Sequence, residues 1–388
     1  MRCFSILHKK KTPLSRTVEI EDEISGILNL HRFSYRDLQL ATNDFSLVNK
    51  IGEGGFGSVF KGRLKDGTTV AIKVLSAFSS QGAREFMTEL ELVTNIEHEN
   101  LVKLHGCCAE GTHRIIVYGY LENNSLARTL PGGSRSNILF DWTARHKICV
   151  GVARGLAFLH EEVRPPIIHR DIKASNILLD KDLTPKISDF GLAKLFPSHL
   201  THVSTRVAGT TGYLAPEYAI QGRLTRKADV YSFGVLLLEI VSGRPNTNKL
   251  LPHGKRYLLE LAWNFYQKDE LHEIVDASLQ GVFVINEACQ FIKVGLLCTQ
   301  SKPKLRPAMS TVVKMLTGTI NVEGLEITQP GLLNDDMCTV SATATTCGED
   351  KDVRFDNKTS SNMDTSSSAS TLTTSHATMT FNSIFDRD

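Results

Sequence analysis

His169-Arg170-Asp171-Ile172-Lys173-Ala174-Ser175-Asn176, with Asp189-Phe190-Gly191 eighteen residues beyond Asp171, is the part of the chain densest in chemistry. Asp189 and Asn176 offer oxygen ligands of the kind Mg2+ takes while sharing its shell with water and phosphates. Asp171 stands apart from them and can accept a proton from an incoming hydroxyl. Ala215-Pro216-Glu217 and Asp229-Val230-Tyr231-Ser232-Phe233-Gly234 follow in order. Any one of these motifs can be a loop or a helix cap by chance. The ordered series in one chain is not a chance event.

Toward the N-terminus lies Gly52-x-Gly54-x-x-Gly57. Alone it is a weak signal, because glycines often mark a tight turn and nothing more. A dinucleotide fold needs such a loop to open a helix, and a Walker loop needs Gly-Lys-Ser/Thr. Here Ser58-Val59-Phe60-Lys61 follows and reads as a strand, so the loop is a flap between two strands. Its missing side chains let backbone N–H groups come close to phosphate oxygens. Val70-Ala71-Ile72-Lys73 ends sixteen residues past Gly57, and Glu89 comes sixteen residues past Lys73. A lone lysine at a strand end is usually just solvated. One pinned by a carboxylate is a fixed point charge suited to phosphates. Glu85 is the competing partner. Glu89 is preferred because it adjoins Leu90 in the inward stripe of Phe86, Leu90, Val93 and Ile96.

Three regions separate by composition. Residues 1–44 are polar and mixed, residues 45–319 carry the strong periodicity, and residues 320–388 lose it. Between Thr359 and Thr380, fourteen of twenty-two residues are Ser or Thr, so the tail is expected to be disordered for want of apolar surface to bury. The first third of the middle region reads as strands, with a helix over 81–96. After residue 123, helices are expected at 142–160, 227–242, 258–266 and 288–299. A mostly β part followed by a mostly α part predicts an α+β protein of two lobes.

The formal charge of the 388 residues is +2, which lacks the basic footprint of a nucleic-acid binder. The eight cysteines contain no C-x-x-C pair, and adjacent Cys107 and Cys108 are expected in the core. The most apolar run, 230–241, is too short for a membrane span and carries Glu239. The N-terminus does not read as a signal peptide, because its basic cluster follows the short apolar piece.

These motifs are similar to the signature set of eukaryotic protein kinases: glycine loop, V-A-I-K, H-R-D…N, D-F-G and A-P-E. The match covers residues 45–319. The wording D-W-x-x-R, G-L-A-x-L-H and D-V-Y-S-F-G-V-L-L-L-E resembles the plant receptor-like kinases. With neither ectodomain nor span, the chain resembles a receptor-like cytoplasmic serine/threonine kinase. The resemblance implies a bilobal fold, with a β-rich N-lobe over 45–117, a hinge over 118–122 and a helical C-lobe over 123–319. It also implies ATP and Mg2+ as cofactors and a protein substrate.

Residue by residue, the resemblance implies that Ile51, Gly52, Glu53, Gly54, Gly55, Phe56, Gly57, Ser58 and Val59 cover the nucleotide. Ala71 and Leu178 would join Val59 around the adenine, Gly119 and Leu121 would meet it at the hinge, and Lys73 would hold phosphates while paired with Glu89. Asp171 would be the catalytic base, Lys173 would stabilise the transferring group, and Asn176 and Asp189 would hold Mg2+. Asp229 would brace the catalytic loop, and Glu217 would pair with Arg306. Tyr118 would be the gatekeeper. Family hinges usually read V-Y-E-Y, so Gly119 is a departure expected to loosen the hinge. Lys173 and Gly209-Thr210-Thr211-Gly212-Tyr213 fit the serine/threonine style, with Thr210 able to reach Asp171 and Lys173. A pseudokinase scaffold is the rival reading; it predicts a lost Lys, Asp or Asn, and none is lost.

Two regulatory expectations complete the reading. Ser204, Thr205 and Thr210 are phosphorylation candidates; Ser204 and Thr205 lead, with Arg170 as the partner of the phosphate, and Thr210 is read chiefly as substrate-docking. Arg2 rules out myristoylation, but Cys3 ahead of Lys9-Lys10-Lys11 suits acylation plus a basic patch, the two signals a stable anchor needs. Peripheral association with the cytoplasmic face of the plasma membrane, beside an upstream membrane receptor kinase, is the expected location; a soluble cytoplasmic enzyme is its rival.

Overall fold

The computed structural model describes residues 26–27, 30–54, 57–76, 80–130, 140–197, 199–248, 256–279 and 283–333. Cys3, Gly55, Phe56 and the Ser/Thr-rich run lie outside them. A short helix, α1 (Tyr35–Ala41), precedes a five-stranded antiparallel sheet. The strands are β1 (Lys50–Gly54), β2 (Gly57–Arg63), β3 (Thr69–Leu75), β4 (Leu104–Cys108) and β5 (Arg114–Gly119), in spatial order β1-β2-β3-β5-β4. Helix α2 (Ser80–Val93) lies between β3 and β4 in sequence and turns Phe86, Glu89 and Leu90 inward. The register sets Lys73 opposite Val59 on one side and Ile116 on the other, which fixes its position at the sheet centre.

The sequence reading assigned residues 1–44 to an extension, yet residues 31–41 pack on this lobe. Cys107 donates its N–H to His31 O at 3.0 Å, and Phe33 donates to Cys107 O at 2.8 Å. Ser34 caps α1 by accepting from Asp37 N. Leu38 is fully buried in a second core with Val70, Ile72, Cys108, Ile115 and Val117. Seven helical residues are too few for periodicity to announce them. Cys107 and Cys108 are both buried, and burial pushes their thiols up to about 11 and about 12.

The second lobe runs through α3 (Leu126–Thr129), α4 (Trp142–Ala157), the short strands β6 (Ile167–Ile168), β7 (Ile177–Leu179), β8 (Pro185–Ile187), β9 (Lys194–Leu195) and β10 (Val203–Ser204), α5 (Pro216–Gln221), β11 (Arg223–Leu224), α6 (Arg226–Ser242), α7 (Leu258–Gln267), α8 (Ile285–Cys298) and α9 (Met309–Leu316). Every residue of α6 from Ala228 to Ser242 is buried, the pattern of a helix enclosed on all sides. Gly234 permits this closeness: a Cβ there would lie 2.7 Å from Gly295 O of α8. The run that looked too short for a membrane is the axis of the lobe. Among the described residues no helix is long and apolar enough to cross a bilayer.

Candidate active site

The loop between β6 and β7 holds His169 to Asn176. Arg170 has φ 71, a left-handed conformation that costs a branched-chain-free but bulky residue free energy and must be held by its surroundings. Asp229, at the start of α6, holds it. Its carboxylate accepts from His169 N at 2.7 Å and Arg170 N at 2.8 Å, and it pairs with His160 Nε2 at 2.9 Å. Burial pushes the Asp229 carboxyl up, but His160, His169 and the Arg170 N–H outweigh it and hold its pKa below the ordinary value.

Asp171 is the hub of the loop. Its Oδ2 meets Lys173 Nζ at 2.9 Å and Asn176 Nδ2 at 3.0 Å. Its Oδ1 accepts from Thr210 Oγ1 at 2.7 Å, and Lys173 Nζ donates to that same hydroxyl at 2.8 Å. A threonine hydroxyl is thus clamped between carboxylate and ammonium, and Thr210 reaches both predicted partners. Asn176 spends its amide N–H groups on Asp171, so its side-chain oxygen is the end it has to offer a cation.

Across the cleft, Lys73 Nζ lies 2.9 Å from Glu89 Oε2 and 2.8 Å from Asp189 Oδ1. Burial alone would lower the lysine pKa, but Asp189 and Glu89 outweigh it and keep the ammonium charged. Burial likewise pushes Asp189 up, and Lys73 more than reverses it, so the carboxylate stays ionised. Asp189 sits at φ 68, a region that Asp tolerates better than most residues. Glu89 Oε1 also accepts from Phe190 N at 3.2 Å, tying α2 to the turn after Asp189.

Between the lobes is a cleft of about 320 Å³. It is lined by Ile51, Val59, Ala71, Lys73, Glu89, Gly119, Leu121, Asn176, Leu178 and Asp189, all of them expected from the sequence. Gly52, Glu53, Gly54, Gly57 and Ser58 belong to the β1–β2 hairpin and are not among the lining residues. Gly57 has φ 154, and a Cβ there would collide with the Val74 carbonyl oxygen, so the hairpin requires glycine at this point. The sequence reading missed Val102, Glu122, Asn124 and Ser188, which also line the cleft. Glu122 is the last residue of the hinge and Asn124 lies two residues beyond it, the one signal that would have found them. Gly119 donates its N–H to Lys103 O at 3.0 Å, so a contact to a base from this residue comes through its carbonyl. That bond and the β3 pairing of Gly119 with Val70 counter the loosening expected of a hinge glycine.

Arg306 grips Glu217 with two bonds of 2.7 and 2.9 Å. Arg170 donates to Leu192 O at 3.0 Å, Arg206 O at 2.9 Å and the Tyr218 hydroxyl at 3.1 Å. Its guanidinium is therefore held by backbone carbonyls and a phenol, not by Ser204 or Thr205. Ser204 is exposed on β10, opposite Arg223 of β11.

Residues 45–316 match the family model described as protein tyrosine and serine/threonine kinase. The chain belongs to that family. The kinase is 64% identical over 321 residues to cold-responsive protein kinase 1 of Arabidopsis thaliana, covering 82% of each chain. It is 51% identical over 330 residues to a probable LRR receptor-like serine/threonine-protein kinase of the same plant, covering 85% of this chain and 31% of that one. Another probable leucine-rich repeat receptor-like serine/threonine-protein kinase is 56% identical over 295 residues and is covered over 29% of its length. The chain is thus a protein kinase of the serine/threonine, receptor-like type, with the bilobal α+β fold, and the pseudokinase reading is not favoured. Its family uses ATP and Mg2+.

Proposed function

We propose that this kinase transfers the ATP γ-phosphoryl group to Ser and Thr hydroxyls of a protein, with Asp171 as base and Lys173 as the charge that steadies the transferring group. The observation that carries the assignment is the Thr210 hydroxyl held at 2.7 and 2.8 Å by Asp171 and Lys173. A substrate hydroxyl in that position has its proton directed at a carboxylate. Lys73, fixed by Glu89, holds phosphates, and Val59, Ala71 and Leu178 supply the apolar walls for the base. Asn176 and Asp189 would hold Mg2+, which would supply charge neutralisation at the phosphates. The donor set fits: both oxygen-bearing side chains line the same cleft as Lys73, and Asp189 lies 2.8 Å from its ammonium.

The catalytic unit spans residues 45–319, with residues 31–41 and 320–333 docked on it. Ser204 and Thr205 are its phosphoacceptor positions in the activation segment. Acylated Cys3 and the following lysines hold the kinase at the cytoplasmic face of the plasma membrane, near a receptor kinase; loss of membrane fractionation in Cys3→Ser tests this point. The central test is labelling of a generic protein substrate by the full chain with ATP and Mg2+. Wild type labels Ser and Thr, and Asp171→Asn loses about a thousandfold or more. Equal rates for the two would overturn the assignment.

A further inference from the structure

The chain continues past α9 as a strap across the second lobe. Ser301 donates its N–H to Gln329 O at 3.1 Å, and Gly331 donates to Thr299 O at 3.0 Å. Thr328 donates its N–H and its hydroxyl to Gln300 Oε1 at 3.1 and 2.9 Å. The buried Tyr231 hydroxyl of α6 donates to Gly331 O at 2.5 Å. Gly331 lies flat on Pro216, where a Cβ would be 2.8 Å from Pro216 Cγ. These bonds bring Leu332 and Leu333 to a cavity of about 90 Å³, which they line together with Thr211, Gly212 and Leu214 of the loop that carries Thr210. Leu259 and Glu260 of α7 also line it.

The walls are held apart by hydrogen bonds and do not fall in to fill the space. Gly212 O accepts from Nδ2 of the buried Asn246 at 2.7 Å, and Tyr213 O accepts from Ser232 Oγ at 2.7 Å. Asn246 O in turn accepts from Leu258 N at 2.9 Å, which ties the loop to α7. Close-packed interiors leave few voids larger than a water molecule. A framed hollow beside the reacting groups is therefore a preformed pocket. Leu332 and Leu333 are half-buried and Thr211 is exposed, so the hollow is open to a chain lying along the loop.

Thr210 adjoins Thr211, and its hydroxyl lies 2.7 Å from Asp171, where a substrate hydroxyl is received. Three extended residues reach ~10 Å. A substrate chain with its hydroxyl at Asp171 thus passes the pocket within about three residues of the acceptor. We propose that Leu332 and Leu333 are specificity-determining residues, forming with Leu214 and Leu259 a subsite for one aliphatic side chain of the protein substrate. The inference rests on the roles given above to Asp171 and Lys173. Both strap leucines lie past residue 316, where the match to the kinase family ends, so family membership assigns them no role. Size selects the side chain. A cavity of ~150 Å³ holds benzene. This one, at about 90 Å³, suits a branched aliphatic group better than a phenyl ring.

The test uses the full chain with ATP, Mg2+ and peptides that carry one Ser acceptor. Leu, Ala or Phe is placed in turn at each of the three positions on either side, and a generic protein substrate runs alongside. At one position, wild type should take Leu over Ala by about tenfold in kcat/KM, through the peptide KM, with Phe behind Leu. Leu332→Ala/Leu333→Ala should lose most of that preference while the ATP KM and the rate on the Ala peptide hold. Leu332→Met/Leu333→Met conserves volume and should keep it. Leu333→Phe fills the pocket instead of enlarging it and should bring Leu down to the level of Ala; it carries the test if the double Ala variant does not fold. Absence of a Leu preference, Phe ahead of Leu, or a labelled protein beside unlabelled peptides overturns the subsite and leaves the kinase assignment standing. A preference that survives both Leu333→Phe and the double Ala change overturns the role of the strap. Equal loss on Leu and Ala peptides shows support of the fold and not selection, which overturns it too. Failure to label any peptide or the protein overturns both readings.

Discussion

Lys73 shows how much one residue's role changes between sequence and fold. Its distance from Glu89 made the pair legible, because both belong to one strand-to-helix unit. In the structure it is 5% exposed and Glu89 is 0% exposed, and Asp189, 116 residues away, shares the ammonium. No local pattern could reveal that third member. Lys73→Ala therefore does two things. It should abolish phosphoryl transfer, and it should leave the buried Glu89 carboxylate and the part-buried Asp189 carboxylate without their cation, at a cost of up to about 3–5 kcal/mol. Thermal unfolding beside a kinetic assay checks both, and an inactive variant that melts with wild type would refute the structural role of the triad.

At the scale of elements, the activation segment is organised by groups already in the chain. Arg170, Ala208 N–H and Arg206 O converge on the Tyr218 hydroxyl of α5, a residue only 1% exposed. The motifs at either end of the segment were readable, but their junction depends on how α5 packs beneath the loop. Tyr218→Phe removes the acceptor and should cost about 1–3 kcal/mol, with faster proteolytic cleavage between residues 199 and 215 and a lower kcat. Unchanged cleavage would show that the segment is ordered by other contacts. A second junction is Glu239, in the middle of α6, whose oxygens accept from the Tyr213 hydroxyl at 2.7 Å and from Asn246 N at 2.6 Å. Burial pushes its carboxyl up to about 7, against the lowering effect of those two bonds. An unfolded glutamate titrates near 4.5, so between these values the folded chain holds a proton that the unfolded chain has lost. That stability is fully present below about 4.5, is lost as pH rises to about 7, and amounts to at most about 3 kcal/mol. Glu239→Gln stays neutral, keeps an acceptor for Asn246 N and lets the Tyr213 hydroxyl turn to accept. Its melting temperature should lie closest to wild type at about pH 4.5, exceed it increasingly as pH rises to about 7, and keep a constant lead above that. A difference that does not grow with pH would place the proton elsewhere.

Across the whole molecule, the two lobes and their order were plain in the sequence because each motif sits on a strongly periodic element. The margins were not. Residues 31–41 and 320–333 are short and without period, and they are held by backbone bonds to distant partners. The C-terminal strap is the clearer case, since it spans α6, α8 and the start of α5 through Tyr231, Thr299 and Pro216. If it is an integral part of the lobe, a side chain at Gly331 must disturb the fold. Beyond the 2.8 Å approach to Pro216 Cγ, a Cβ would lie 3.3 Å from Ser301 Cα, and neither a proline ring nor a backbone atom can swing aside. Gly331→Val should then cost about 1–3 kcal/mol through overpacking, lowering the melting temperature by about 2–4 °C for each kcal/mol. Because Lys73, Asp171 and the cleft are untouched, kcat on a generic substrate should hold near wild type at temperatures well below the transition. A variant that melts with wild type would mean that the strap lifts away without penalty and that residues 320–333 are an appendage of the lobe.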